Sequence, residues 1–223
     1  GIYNDLGELT IIDSTIFKNT AGIDGGGLYT TGLMTIDSRA IGKNSAITEN
    51  QAQSGGGIYI DANNEAIVIT ADSVISANYA GFDGGGLYVQ NAGSVKISGY
   101  SNIEINDAGN NGGGIFVYDV GSLDIESSKI SFNKAGLNGG NGGGIAVDNT
   151  SSGAIHLDDA TIMDNLVYDG AGGGIFADQN GIWTITNSEI SANTANSGGG
   201  VINANTAMEI KNTTITGNEA VGA

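Results

Sequence analysis

Residues able to do chemistry are few in this chain, and they fall in three places. Arg39 shares the stretch DSRAIGKNS with Asp37 and Lys43. A polysaccharide lyase would need such a base to abstract a proton beside acidic Ca²⁺ ligands, whereas a hydrolase would need two carboxylates at suitable separation. His156 stands beside Leu157, Asp158 and Asp159, and is the only histidine of the chain. On a strand, adjacent side chains point to opposite sides, so Asp158 and Asp159 do not form a working pair without a bulge. Asp24 and Asp83 each precede a run of three glycines, but Ser54 holds that position in the unit between them. Two units of a stacked β structure separate them by about 10 Å, too far for one Ca²⁺ to bridge. The other basic residues, Lys18, Lys96, Lys129, Lys134 and Lys211, share no common position. The reading is therefore no catalytic residue, no cofactor and no metal site, with only nonspecific attraction of Ca²⁺ by an acidic surface.

What must position these residues is a repeat. Glycine triplets recur at 25–27, 55–57, 84–86, 112–114, 142–144, 172–174 and 198–200, at intervals of 26 to 30 residues. Upstream of them Ile-x-x-Asn appears eight times, ending in Asn19, Asn50, Asn78, Asn106, Asn133, Asn165, Asn193 and Asn218. Two residues after each Asn comes Ala, with Val167 the single exception. Five residues before it comes Ser, replaced by Ala160 and Thr213 in two units.

Composition agrees with an ordered repeat. The chain of 223 residues has 39 glycines, no proline and no cysteine, and a net charge of −17. Alternating Ile, Leu and Val between the triplets separate it from a flexible Gly-rich tract. The absence of cysteine removes disulfides and thiolate chemistry. An acidic chain lacks the basic face that nucleic acid or an anionic membrane requires, and no apolar run reaches the length of a membrane span.

A unit of about 28 residues cannot bury its own apolar side chains, but identical units stacked in register can. Each unit offers two or three short strands and no helical period. The expectation is all-β: a single-stranded right-handed parallel β-helix of about eight rungs, one repeat domain over 1–223. The columns then have reasons. Ile fills the core and Ala fits a corner beside it. The Asn amides stack into a ladder that satisfies turn polar groups. The glycines serve corners of positive φ or close backbone approach.

After the triplets the middle residue of an apolar run is aromatic in most units: Tyr29, Tyr59, Tyr88, Phe116 and Phe176, with Ala146 interrupting and Tyr3 continuing the row. If the flanking aliphatics face inward, a period of two sends these rings outward. Such a row either stiffens the rod by stacking or forms a docking face. The inverted parity, with the rings inside, stays open at this stage.

The pair Ile-x-x-Asn and Gly-Gly-Gly-[Ile/Leu/Val] resembles the Phe-x-x-Asn and Gly-Gly-Ala-[Ile/Leu/Val] repeats of the chlamydial polymorphic membrane proteins and related bacterial β-helix adhesins. The resemblance runs nearly the whole chain, with Ile for Phe in the first motif and Gly for Ala in the second. It implies a secreted or surface-displayed β-helix of the autotransporter-passenger kind with adhesive function, at the bacterial cell surface or outer membrane. The expected role is a structural or adhesive rod that binds a cell-surface protein or a glycan by its exposed face. Two alternatives are a polysaccharide-active enzyme of the β-helix type and a filament protomer. The sequence starts and stops in phase with the repeat, without a recognisable cap. That suggests a segment of a longer rod or copies stacked through open ends.

Overall fold

The computed structural model describes residues 1–40, 42–137, 139–148, 153–178 and 181–222. Every regular element among them is a β-strand. The strands form four parallel sheets, three of eight strands and one of seven, and neighbours within a sheet come from successive turns of chain. The molecule is a β-solenoid of eight turns.

One turn shows how the sequence makes a rung. Leu87–Gln90 is the strand after the triplet, and Ala92–Ile97 follows it round a corner at Asn91, where φ is +53°. Next come Asn102–Glu104, the strand of the Ile-x-x-Asn motif, and the two-residue strand Asp107–Ala108. From the second rung on, each rung thus has four strand segments where the pattern suggested two or three; the first has three. Ile-x-x-Asn-x-Ala is split by the residue before Asn. That residue is left-handed in every rung, at Lys18, Glu49, Ala77, Ile105, Phe132, Asp164, Ala192 and Gly217, with φ between 53° and 63°. For a β-branched residue such as Ile105 this is a costly conformation, roughly 1–2 kcal/mol.

The bend is held because it turns Asn inward. Asn78 is 1 % exposed; its backbone N–H and its Nδ2 both donate to Asn106 Oδ1 at 3.0 Å, and Nδ2 also donates to the carbonyl of Ile47 at 2.9 Å. The paired donation to the next Asn recurs at every link from Asn19 through Asn50, Asn78, Asn106, Asn133, Asn165 and Asn193 to Asn218, at 2.9–3.1 Å. Each Asn thereby satisfies donors and acceptors that the corner takes out of water.

The other columns pack around this line. Ile47, Ile75, Ile103, Ile130, Ile162 and Ile190 are at most 1 % exposed and belong to one continuous core with Trp183. Burying each is worth about 1.5–3 kcal/mol. Ala80, Ala108, Ala135 and Ala195 are fully buried on the short strands, and Val167, 1 % exposed, takes the same inward place in its rung. The Ser column closes the third corner: Ser101 Oγ donates to the carbonyl of Ser98 at 2.7 Å and Ser128 Oγ to that of Glu126 at 2.8 Å. At Ala160, where the hydroxyl is missing, the backbone N–H instead donates to Ser188 Oγ of the next rung at 3.0 Å.

The triplet combines two demands. Gly84 has φ +67°, and a Cβ on it would lie 2.6 Å from the carbonyl oxygen of Leu87. Gly86 has an ordinary φ, but its Cβ would meet Gly114 O at 2.7 Å and Asn106 Nδ2 at 2.9 Å. The triplet therefore closes a left-handed turn and then lets the chain run against both the next rung and the Asn ladder.

Candidate functional site

The sheet that follows the triplets carries the aromatic row on the side away from the core. Its register pairs Tyr3 with Tyr29, Tyr29 with Tyr59, Tyr59 with Tyr88 and Tyr88 with Phe116. The flanking residues Leu87 and Val89 are fully buried in the core, which fixes the parity. Ring centroids lie 5.0, 5.2, 4.6 and 5.1 Å apart down the row, and the planes of the first four rings agree within 9°. Phe116 is tilted by 42° to Tyr88.

The row is less open than an exterior stripe. Tyr59 is 8 % exposed and Phe116 4 %, while Tyr29, Tyr88 and Phe176 are half-buried. The rings cover one another and lie low between two polar flanks, so the feature is a furrow with an aromatic floor.

One flank is built by the residues before the triplets. Asp83 Oδ1 accepts from the backbone N–H and Nδ2 of Asn111 at 2.9 and 3.0 Å. Asn111 Oδ1 accepts from the N–H of Asn141, and Asn141 Oδ1 from that of Ala171, each at 2.9 Å. This second, shorter amide ladder was not anticipated from sequence. Its signal, Asp83-Asn111-Asn141 at one phase of the repeat, is obscured by Ser54 and Ala171 in the same column. The other flank holds Asp61, Asp148 and Asp178, two residues beyond the ring positions. Asp61 accepts from Gln90 Nε2 at 2.9 Å and Asn91 Nδ2 at 2.7 Å.

The furrow is electrostatically one-sided. Burial pushes the Tyr88 hydroxyl up to about 12, with Asp83 and Asp24 adding to the shift. Tyr59 and Tyr29 are raised as well, first by burial and then by the carboxylates on both flanks. Asp83 is raised by burial; the two Asn111 hydrogen bonds oppose this, and Asp148 reinforces it. Asp24 is raised by burial alone. The site favours hydroxyl donors, neutral rings or cations and repels anions.

At Ala146 the row is broken. Ala146 pairs with Phe116 on one side and Phe176 on the other. Ala146 is nonetheless only 2 % exposed, and a cavity of about 170 Å³ beside it is lined by Asn111, Phe116, Asn141, Ala146, Asp148 and Asp178, with Phe176 also in its lining.

The remaining candidates stay apart. Arg39 Nε is hydrogen-bonded to Asp37 in an exposed ion pair, and its backbone N–H donates to Asp13 Oδ1 at 2.8 Å. Ile41 of the same loop lies outside the described residues. His156 is exposed in register with Asp124 and Thr184. Asp158 accepts from Thr186 at 2.6 Å and Asn187 at 2.8 Å, which lowers its pKa; Asp159 begins the left-handed corner at φ +53° and accepts from Ser127. Asp24 bridges to Ser54, whose rung neighbours that of Asp83, so the two aspartates sit two rungs apart. Among the described residues no three His, Cys, Asp or Glu side chains cluster as metal ligands. Among the described residues no helix is long and apolar enough to cross a membrane.

The chain matches no family model, no curated protein and no solved structure.

Proposed function

We propose that this β-solenoid is a structural and adhesive rod of the extracellular or bacterial-surface kind, which engages a surface glycan or protein through its aromatic furrow. The observation that carries the reading is the outward row Tyr29–Tyr59–Tyr88–Phe116, stacked in register and walled by carboxylates and amides. A row serving only rigidity needs stacking and no polar walls. Aromatic faces beside hydrogen-bonding groups are the usual composition of a recognition surface. The repeat's resemblance to adhesin passengers supports the same reading.

The test is binding of the purified chain to immobilised polysaccharides and to cell-surface glycoproteins, compared with a Tyr29→Ala/Tyr88→Ala variant whose fold is checked by circular dichroism. A loss of tenfold or more in the variant supports the furrow as the adhesive face. Equal binding by the two proteins removes it.

A further inference from the structure

In seven of the eight rungs the residue just before the Ser column is left-handed: Asp13, Asp72, Tyr100, Ser127, Asp159, Asn187 and Asn212, with φ between 44° and 64°. Six of them are Asp, Asn or Ser, short polar residues suited to turns, of which Asp and Asn tolerate this backbone best. Tyr100 is the exception. Its side chain is 71 % exposed, and among the described residues it stacks on no ring and its hydroxyl has no partner. A bulky residue held in a costly conformation, with nothing to pack on, is what strained positions at functional sites look like.

Tyr100 also stands at a step in the solenoid. Three residues separate Ile97 from Ser101, but two separate Ile125 from Ser128 and Leu157 from Ala160. Beside the ring, over the two rungs with the shorter corner, lies a hollow of about 230 Å³ lined also by Asn102, Ser127, Lys129, Asp159 and Thr161. Each of these five is at least partly exposed, so the hollow is open to solvent. Asn102, Lys129 and Thr161 are register partners on one outer column. Asp159 Oδ2 accepts from Ser127 Oγ at 2.8 Å, and Asn102 Nδ2 donates to the carbonyl of Tyr100 at 3.2 Å. Asp159 Oδ1, Asn102 Oδ1 and the Thr161 hydroxyl are left without a partner among the described residues. Lys129 holds its ammonium 5.6 Å from the centre of the Phe132 ring, so the charge a ligand meets here is the Asp159 carboxylate.

These groups decide the ligand class. A wholly apolar ligand would cover the carboxylate and the amide without bonding them, at the cost of their hydration. An anion would be repelled by Asp159. A pyranose ring offers a C–H face to the tyrosine, whose ring is an apolar body with a polar tip. Its hydroxyls donate to Asp159 Oδ1 and Asn102 Oδ1 and accept from Thr161. The hollow, about 230 Å³, is below the 300–1,000 Å³ of drug-sized pockets and suits a single ring. We infer that the hollow beside Tyr100 is a binding site for one uncharged pyranose ring, with the tyrosine as its stacking wall. It lies at a corner of the rung and not on the sheet that carries the aromatic row, and it does not depend on the adhesive reading of the furrow.

The experiment is ligand-observed saturation-transfer NMR and titration with the methyl glycosides of glucose, galactose and mannose, with methyl glucuronide as the acidic counterpart. Sugar binding is read in the furrow variant Tyr29→Ala/Tyr88→Ala, where any sugar held by the aromatic row is lost, and in the same variant carrying Tyr100→Asn or Asp159→Asn. Asn is the residue that two other rungs use in this corner, so Tyr100→Asn in the otherwise unchanged chain should melt no lower than the chain itself. In the furrow variant it should weaken binding of the neutral glycosides at least tenfold, and the unlowered melting temperature assigns that loss to the missing wall and not to misfolding. Asp159→Asn should narrow the discrimination against the glucuronide at least threefold. Saturation transfer to none of the neutral glycosides, or binding undiminished by Tyr100→Asn, overturns the site. If the unchanged chain binds sugar and the furrow variant does not, the sugar sits on the aromatic row, and the Tyr100 site falls while the adhesive furrow stands.

Discussion

Two ladders run along this solenoid, and only one of them tolerates a missing member. The Asn ladder is unbroken from Asn19 to Asn218, and its six central members are at most 1 % exposed. The aromatic row skips a rung at Ala146. The difference lies in what a vacancy would leave behind. Remove one Asn and a buried N–H, an amide proton and a carbonyl lose their partners, each costing about 1–3 kcal/mol. Remove one ring and two stacking contacts of about 0.5–1.5 kcal/mol are lost, and the place can still close over, as at Ala146, which is 2 % exposed. The inner ladder is fixed by satisfaction of polar groups; the outer one is held by weaker contacts.

Substitutions can break or sharpen that contrast. Asn106→Ala strips Asn78 of its acceptor and the Ile75 carbonyl of its donor, and should cost about 3–5 kcal/mol in chemical denaturation. A loss under about 1 kcal/mol would mean that water repairs the ladder. Gly86→Ala drives a Cβ against Gly114 O and Asn106 Nδ2 and should cost about 2–3 kcal/mol by overpacking the same corner. Tyr88→Ala removes stacks at 4.6 and 5.1 Å and should cost about 2 kcal/mol. If it costs more than Asn106→Ala, the ranking of the two ladders is reversed.

Alkaline titration gives a smaller effect. The Tyr88 hydroxyl is held near 12 in the fold against about 10 in an unfolded chain. The folded state therefore keeps a proton that the unfolded state releases. The associated stability is whole below about pH 10 and is lost as pH climbs towards 12. Melting curves from pH 9 to 12 should fall more steeply for the chain than for Tyr88→Phe, and parallel curves would contradict the burial. Smallest of all is Gly22→Ala, where nothing lies within 4 Å of the added Cβ; it should shift stability by no more than about 0.5 kcal/mol. It is the control showing that glycine matters here by position and not by count.

Much of the fold was legible because a solenoid repeats its reasons. Ile, Asn, Ala and Gly recur in phase, and each column's burial or bonding follows from the geometry of stacking. The four-strand rung was not legible, since nothing in the letters of Ile105 or Phe132 announces a left-handed residue. Their backbone is bent by the pull of the Asn that follows. The aromatic row was visible as a pattern, but its parity and depth were not, because a period of two leaves the choice of face to the core. Trp183 and Ile185 could be assigned inward by alternation, whereas the neighbouring Ile182, 60 % exposed, shows that apolar character alone does not choose a side.

The sequence by itself determined that this chain stacks in parallel register, since unit-by-unit identity at Ile and Asn has no other way to bury both. It also placed the missing ring at Ala146. Only the tertiary structure decided that a cavity lies beside it. Asn111, Asn141, Asp148 and Asp178 lie up to 67 residues apart in the sequence and meet around that cavity because the rungs lie about 4.8 Å apart, a proximity created by winding the chain and by nothing local to any one residue.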